Sequence, residues 1–234
     1  MQLNKNYWED KDFKLFQNYL VTLKNDAKIE FQKRIIKTNY KVLGILSPKI
    51  KEIARNIAKG NYYSFLDKKL CDYYENFAIN LELINYISNF DDFKHYLLSF
   101  SKSIDNWANC DQIKFKINTK NEENYLSLSK YLMKSNLPFE RRIGVDILFR
   151  FINDKCLNEV FTVLNSFKNE TNYYVNMALA WLFCECFVKY PKKTYNFLKT
   201  HNMNDFVINK GISKCRDSFR VSNEDKMKIL DYKV

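Results

Sequence analysis

Glycine and proline are nearly absent from this chain, which contains only four glycines and three prolines among 234 residues. Tight turns between short strands depend on these two residues, so a fold of many strands is disfavoured. Long helices joined by short connections are the alternative that this scarcity favours. Hydrophobic residues make up 46% of the chain and aromatic residues 16%, which can fill a sizeable core and argues against a disordered chain.

Apolar spacing, helix caps and helix breakers together predict an all-α chain. Proline stands at the expected start of three helices, at Pro48, Pro138 and Pro191, where its missing N–H costs no hydrogen bond. The predicted helical ranges are 10–24, 28–38, 47–59, 62–68, 71–88, 91–103, 108–117, 121–135, 138–153, 156–167, 172–189, 191–200, 204–219 and 222–231.

Short links between successive helices along the whole chain are typical of an α-solenoid of HEAT-like antiparallel helix pairs. No residue recurs at a fixed period, so any repeat is divergent. Because no linker rich in Pro, Gly or Ser interrupts the pattern, we predict a single domain over 1–234. Its expected shape is superhelical with a concave basic groove, and residues 1–34 are expected to form divergent N-terminal helices.

The formal net charge of +11 is concentrated in two segments. Residues 33–59 carry eight basic side chains against one acidic, and residues 189–234 carry eleven against five. Charge placed in this way suits an elongated polyanion, because each neutralised phosphate releases counterions. Two solvated helix faces are the alternative interpretation.

Cysteine and histidine are used in a way that argues against disulfides and metal. The six cysteines form no C-x-x-C pair and no secretory signal is visible, so free thiols in a reducing compartment, the cytoplasm, are expected. With only His95 and His201 available, we predict neither a metal site nor any other cofactor. The apolar run over 173–188 is shorter than the roughly 20 residues that span a bilayer, so we interpret it as a buried helix.

Trp107 and Asp111 are spaced as W-x-x-x-D and would therefore share one face of a helix. A carboxylate next to an indole can stabilise the cation that develops on a sugar when its glycosidic bond breaks. Trp181 could add a second aromatic wall, and Arg142 could clamp a phosphate. The ordinary alternatives are a surface acid paired with a lysine such as Lys114 and tryptophans that fill the core.

The chain resembles the AlkD-type DNA alkylation-repair glycosylases, which are built from HEAT-like repeats. The similarity runs from about residue 35 to the C-terminus and is specific as a combination of motifs. The segments that carry it are Tyr40–Pro48, Asp105–Asp111, the Glu140-Arg-Arg-Ile-Gly stretch, Tyr173–Trp181 and Asn209–Arg220.

This resemblance implies excision of cationic N3- or N7-alkylated purines from duplex DNA, without a metal and without a deep base pocket. It implies that Asp111 is the catalytic carboxylate, that Trp107 and Trp181 flank the deoxyribose of the lesion, and that Arg142 contacts a phosphate. The adjacent Arg141 is the other candidate for this contact, since only one of the two can face the DNA; motif position favours Arg142. We also expect the basic C-terminal stretch to meet the DNA backbone and the protein to act as a monomer. That stretch comprises Lys210, Lys214, Arg216 and Arg220.

Residues 1–34 depart from the family's pattern, and Trp8 is the aromatic residue that this region offers to brace a lesion. The alternative function is therefore a non-catalytic HEAT-like nucleic-acid-binding protein of the same family. A third hypothesis, a scaffold for an acidic protein, leaves the pairing of Trp107 with Asp111 unexplained. The alternatives differ in whether the N-terminal region approaches that pair.

Overall fold

A computed structural model describes all 234 residues, and its regular structure is entirely helical apart from one isolated bridge between Lys41 and Tyr73. The all-α prediction is confirmed, and each predicted range overlaps a helix. The helices are α1 (Asp10–Thr22), α2 (Asp26–Ile36), α3 (Ser47–Ile57), α4 (Tyr62–Leu66), α5 (Tyr74–Ile84), α6 (Phe90–Ser101), α7 (Trp107–Asp111), α8 (Glu122–Met133), α9 (Pro138–Leu148), α10 (Leu157–Ser166), α11 (Tyr173–Lys189), α12 (Pro191–Leu198), α13 (Asp205–Asp217) and α14 (Asn223–Lys228). Short 3₁₀ turns follow α9 and α14.

The chain forms two compact units, Met1–Lys116 and Ile117–Val234. Helices α1 to α7 belong to the first unit and α8 to α14 to the second. The single domain over 1–234 stays a prediction.

Within each unit, three alternate helices pack against one another in order. In the first unit α3 packs on α5 and α5 on α7, and in the second α9 packs on α11 and α11 on α13. This layering is the helical-repeat arrangement that the sequence predicts. The superhelical shape and the concave basic groove stay predictions.

Trp8 is part of the aromatic core of the first unit. Its side chain is only 2% exposed, and its ring packs edge-on against Phe16 and Phe65. The suggestion that Trp8 braces a bound lesion is therefore wrong, because this indole fills the space between α1 and α4.

The predicted helix over 108–117 is shorter than expected and ends at Asp111. Beyond it Ile113 and Phe115 are buried while Lys114 is exposed, a period of two that suits an extended segment better than a helix. Asn85 at the end of α5 fixes this segment, since its amide donates to the Gln112 carbonyl and accepts from the Lys114 N–H.

Helix α11 accounts for the apolar run noted in the sequence. Ten of its seventeen residues are buried, among them Phe183 and Phe187 in the core of the second unit. Its start is capped by Asn172, whose side chain accepts from the N–H groups of Tyr174 and Val175. No helix in the protein combines the length and apolar character needed to cross a bilayer.

Candidate active site

Helix α7 places Trp107 at its first residue and Asp111 at its last, one turn apart. The helix begins where it does because Asn106, fully buried, accepts a hydrogen bond of 3.0 Å from the Asn109 N–H. The Asp111 side chain is exposed and the Trp107 side chain half-buried. The pair is thus accessible to solvent.

Both residues line a cavity of about 300 Å³ in the first unit. Its wall contains a second carboxylate, Glu82, and two exposed lysines, Lys51 and Lys114. The Lys114 Nζ lies 3.9 Å from a Glu82 oxygen. The remaining lining residues are Ser47, Ile50, Tyr74, Ala78, Ala108 and Gln112.

A second cavity, of about 400 Å³, lies on the α2 side of Trp107 and is mainly apolar. Helix α2 contributes Phe31 and Ile35, which are both exposed, and the loop before α3 contributes Leu46. The N-terminal region therefore does approach the Trp107 site. The catalytic and the non-catalytic hypotheses differ in whether the N-terminal region makes such an approach.

Trp107 is held in place by hydrogen bonds to residues far away in sequence. Its indole N–H donates to the Ile35 carbonyl at 3.1 Å. The Asp105 carboxylate accepts from the Thr38 hydroxyl at 2.9 Å and from the Asn39 N–H at 2.6 Å. These contacts tie the segment after α2 to the turn that precedes α7.

Glu75 organises the loop between α2 and α3. Its carboxylate is fully buried and accepts hydrogen bonds of 2.9–3.2 Å from the N–H groups of Leu43, Gly44 and Ile45. Burial raises the pKa of the Glu75 carboxyl, while these three N–H groups oppose the rise. The loop carries the chain from α2 to Ser47, which lines both cavities.

Gly44 lies inside that loop with a φ of +82°, in the left-handed region. A Cβ at this position would lie 2.2 Å from the Asn25 carbonyl oxygen, which leaves room for glycine alone. Leu43 accepts from the Asn25 N–H at 2.8 Å, so the loop and the start of α2 are in direct contact.

Trp181, in the second unit, is 41% exposed although Ala180 and Leu182 on either side of it are completely buried. The expectation from packing alone, a buried tryptophan in an apolar helix, is therefore not met. Its ring contacts that of Phe149 at a steep angle, with ring centroids 4.9 Å apart. Leaving that much apolar surface in water forgoes about 2 kcal/mol of burial free energy.

Arg141 and Arg142 are both engaged within the second unit. Arg141 donates to both carboxylate oxygens of Glu170, at 2.7 and 3.0 Å. Arg142 is only 4% exposed, and its guanidinium donates to the Tyr174 carbonyl at 2.6 Å, with Asp146 3.8 Å from its Nε. The phosphate contact expected of Arg142 stays a prediction. In this structure its guanidinium is bound to groups of the protein itself.

The basic C-terminal residues differ in what they offer to a ligand. Lys210 and Arg216 are exposed on α13, and Lys214 is half-buried between them. Arg220 makes two hydrogen bonds to Glu185, one of them 2.9 Å long. Its guanidinium is therefore shared with a neighbouring carboxylate.

Sequence reasoning did not single out Ile35, Lys51, Glu75 or Glu82. Glu75 carried a usable signal, because a carboxylate in a mostly apolar helix needs several hydrogen-bond donors once it is buried. Ile35 carried none, since it acts through its backbone carbonyl. No group of three or more His, Cys, Asp or Glu side chains is arranged to hold a metal ion.

Comparison with known proteins identifies one family. The model of that family, described as DNA alkylation repair enzyme, matches residues 16–215. The match includes α2, the Glu75 loop, α7 and α11, and so covers the residues that form both tryptophan sites. A search of curated proteins finds no match to this chain.

Proposed function

Because the chain belongs to the family of DNA alkylation repair enzymes, we propose that it is a DNA glycosylase that removes cationic N3- or N7-alkylated purines from duplex DNA. The observation that carries this proposal is the exposed Asp111 carboxylate, which lines one cavity together with the Trp107 indole. Family membership supports a repair enzyme acting on DNA, and the pair supports this particular chemistry.

The alkylated base leaves easily because it already carries a positive charge. When the C1′–N bond breaks, its electron pair neutralises the purine and positive charge develops on the deoxyribose. The Asp111 carboxylate stabilises that charge, and the face of the Trp107 indole adds about 0.5–2 kcal/mol. A water then bonds to C1′, and its proton passes to Asp111 and on to solvent. We propose Trp181 as the second aromatic wall around the sugar.

The phosphate contacts are proposed for the basic residues of the second unit. Lys210 and Arg216 are exposed and could each neutralise a phosphate without losing a protein partner. Arg142 already donates to the Tyr174 carbonyl, so a phosphate would have to share its guanidinium with that partner or displace it. All the proposed groups belong to one chain, so a monomer suffices.

The same residues could serve a protein that binds nucleic acid without cleaving it, and the exposed basic side chains over 33–59 favour this second candidate. The two differ at the N-terminal side of the site. Helix α2 closes one flank of Trp107 with Phe31 and Ile35, as enclosure of a lesion requires. This contact favours the glycosylase.

The test is release of N7-methylguanine from duplex DNA in single-turnover reactions. We expect Asp111→Asn to slow release by about 10²–10³-fold while duplex binding changes little, because the amide keeps its shape and loses its charge. Asp91→Asn is the matched control, an exposed aspartate of the same unit that lines neither cavity. Equal release by the wild type and Asp111→Asn would leave the non-catalytic binding protein as the better description.

A further inference from the structure

Glu185 lies one turn after Trp181 on α11, so both side chains occupy the same face of the helix. The Glu185 side chain is 14% exposed and lies among buried neighbours of α11. It is the only acidic residue of α11.

Arg220 completes the arrangement from a different part of the chain. It follows α13, and its two terminal nitrogens each donate to one oxygen of Glu185. Such a bidentate pair has a defined geometry, because the planar fork of the guanidinium matches the carboxylate. Hydrogen bonds from Arg220 and the weaker interaction with the Trp181 N–H lower the pKa of the Glu185 carboxyl.

The turn that bears Arg220 is itself fixed. Val221 is buried, and Ser222 caps α14 by accepting from the Asp225 N–H. The Arg220 N–H donates to the Ser218 hydroxyl at 3.2 Å. Arg220 is thus presented to Glu185 by an ordered backbone.

We propose that Arg220 is a positioning residue that acts through Glu185 to hold the Trp181 indole with one face open. This proposal rests on the glycosylase function above, and it replaces the phosphate contact predicted for Arg220 from the sequence. Phe149 contacts the Trp181 ring, and Glu185 lies one helical turn further along the same face of α11. The remaining face is left for the deoxyribose.

The arrangement also favours cation binding by the ring. A carboxylate close to the indole N–H makes the π-face more electron-rich, and the face of tryptophan already attracts cations better than that of tyrosine or phenylalanine. Arg220 balances the charge of Glu185, so the pair adds little net charge next to the negatively charged DNA backbone.

The experiment uses the full chain and three readouts: the indole N–H signal of Trp181 in ¹⁵N-correlated NMR spectra, the salt dependence of duplex binding, and single-turnover release of N7-methylguanine. Only three tryptophans are present, and Trp181→Phe assigns the signal by its disappearance. The variants are Arg220→Ala, Arg220→Lys and Glu185→Gln. Arg216→Ala is the matched control, an exposed arginine on the preceding helix.

We expect Arg220→Ala and Glu185→Gln to shift the Trp181 signal and to slow release by about two- to thirtyfold, the range that one indole–cation contact spans. Arg220→Lys should recover part of the rate, because lysine keeps the charge but not the bidentate geometry. The salt dependence of binding should stay unchanged in Arg220→Ala. In Arg216→Ala the Trp181 signal should stay in place, and the salt dependence should become shallower by about one contact.

A shallower salt dependence in Arg220→Ala with an unmoved Trp181 signal would overturn the proposal and identify Arg220 as a phosphate contact. An unchanged release rate despite a shifted signal would also overturn it. If the wild type releases no base, the proposed glycosylase function fails. The NMR signal and the salt dependence would still decide whether Arg220 holds Trp181.

Discussion

Trp107 and Trp181 are both open to solvent, but the protein holds them in different ways. Trp107 starts a helix of only five residues, and its indole N–H donates a hydrogen bond to the Ile35 carbonyl, 72 positions away. Trp181 lies in the middle of a seventeen-residue helix whose inner face is packed in the core. The first site is held by a network of polar contacts, so one substitution can disturb it. The second is held by packing, and we propose that the Arg220–Glu185 ion pair orients its indole.

The largest effect that would expose this difference is expected at Glu75. Glu75→Ala leaves three buried N–H groups without their acceptor and should lower the free energy of unfolding by about 3–5 kcal/mol. Chemical denaturation measures the loss, and Glu52→Ala, on the exposed face of α3, should stay within about 0.5 kcal/mol of the wild type. The Trp181 N–H signal should be unchanged below the unfolding transition. A similar loss in both variants would mean that the loop is not held by Glu75.

A smaller effect is expected at Asp105, which sharpens the comparison at Trp107 itself. Asp105→Ala removes the acceptor of the Thr38 hydroxyl and the Asn39 N–H, and we expect a loss of about 2 kcal/mol. The Trp107 indole N–H should also exchange faster with solvent, as hydrogen-exchange NMR can show. Lys102→Ala, an exposed change in the same segment, is the control. An unchanged exchange rate would mean that the Ile35 carbonyl alone holds the ring.

The smallest effect is a pH dependence in the second unit. Burial raises the pKa of the Glu170 carboxyl, but hydrogen bonds from Arg141 and from the N–H groups of Asn172 and Thr171 outweigh it and lower the pKa below its ordinary value. The pair therefore stabilises the fold fully above the unfolded pKa of 4.5, and this stability is lost as the pH falls through the lower folded pKa.

Glu170→Gln tests this directly. The amide keeps one acceptor oxygen, so we expect a loss of about 1 kcal/mol at pH 7 and a smaller difference between wild type and variant below pH 4. Thermal unfolding across pH 3–7 measures both. A constant difference over that range would argue against the carboxylate as the source.

The fold was largely predictable because its helices follow local rules. Proline at the start of α3, α9 and α12 marked their N-termini correctly, since that preference depends on the local backbone alone. The end of α7 was missed because Ile113 and Phe115 adopt an extended period only in contact with Asn85 of α5. No local pattern encodes such a contact.

The candidate site was predictable only in part. The i,i+4 spacing placed Trp107 and Asp111 on one helix, because spacing on a helix is a local property. It could not show that Arg142 is buried against the Tyr174 carbonyl or that Arg220 is bound to Glu185, because these partners lie 32 and 35 residues away. Whether a basic side chain is available to a ligand depends on its partners in the folded protein, and the sequence alone does not give their positions.

Gly44 has a consequence for the width of the apolar cavity beside Trp107. Since a methyl group there would meet the Asn25 carbonyl, any other residue would have to push the start of α2 outward. Phe31 and Ile35 lie on that helix, so both side chains would move away from the Trp107 indole. The absence of a side chain at Gly44 thus determines how closely α2 can lie to Trp107, and with it the width of the cavity that a ligand would enter.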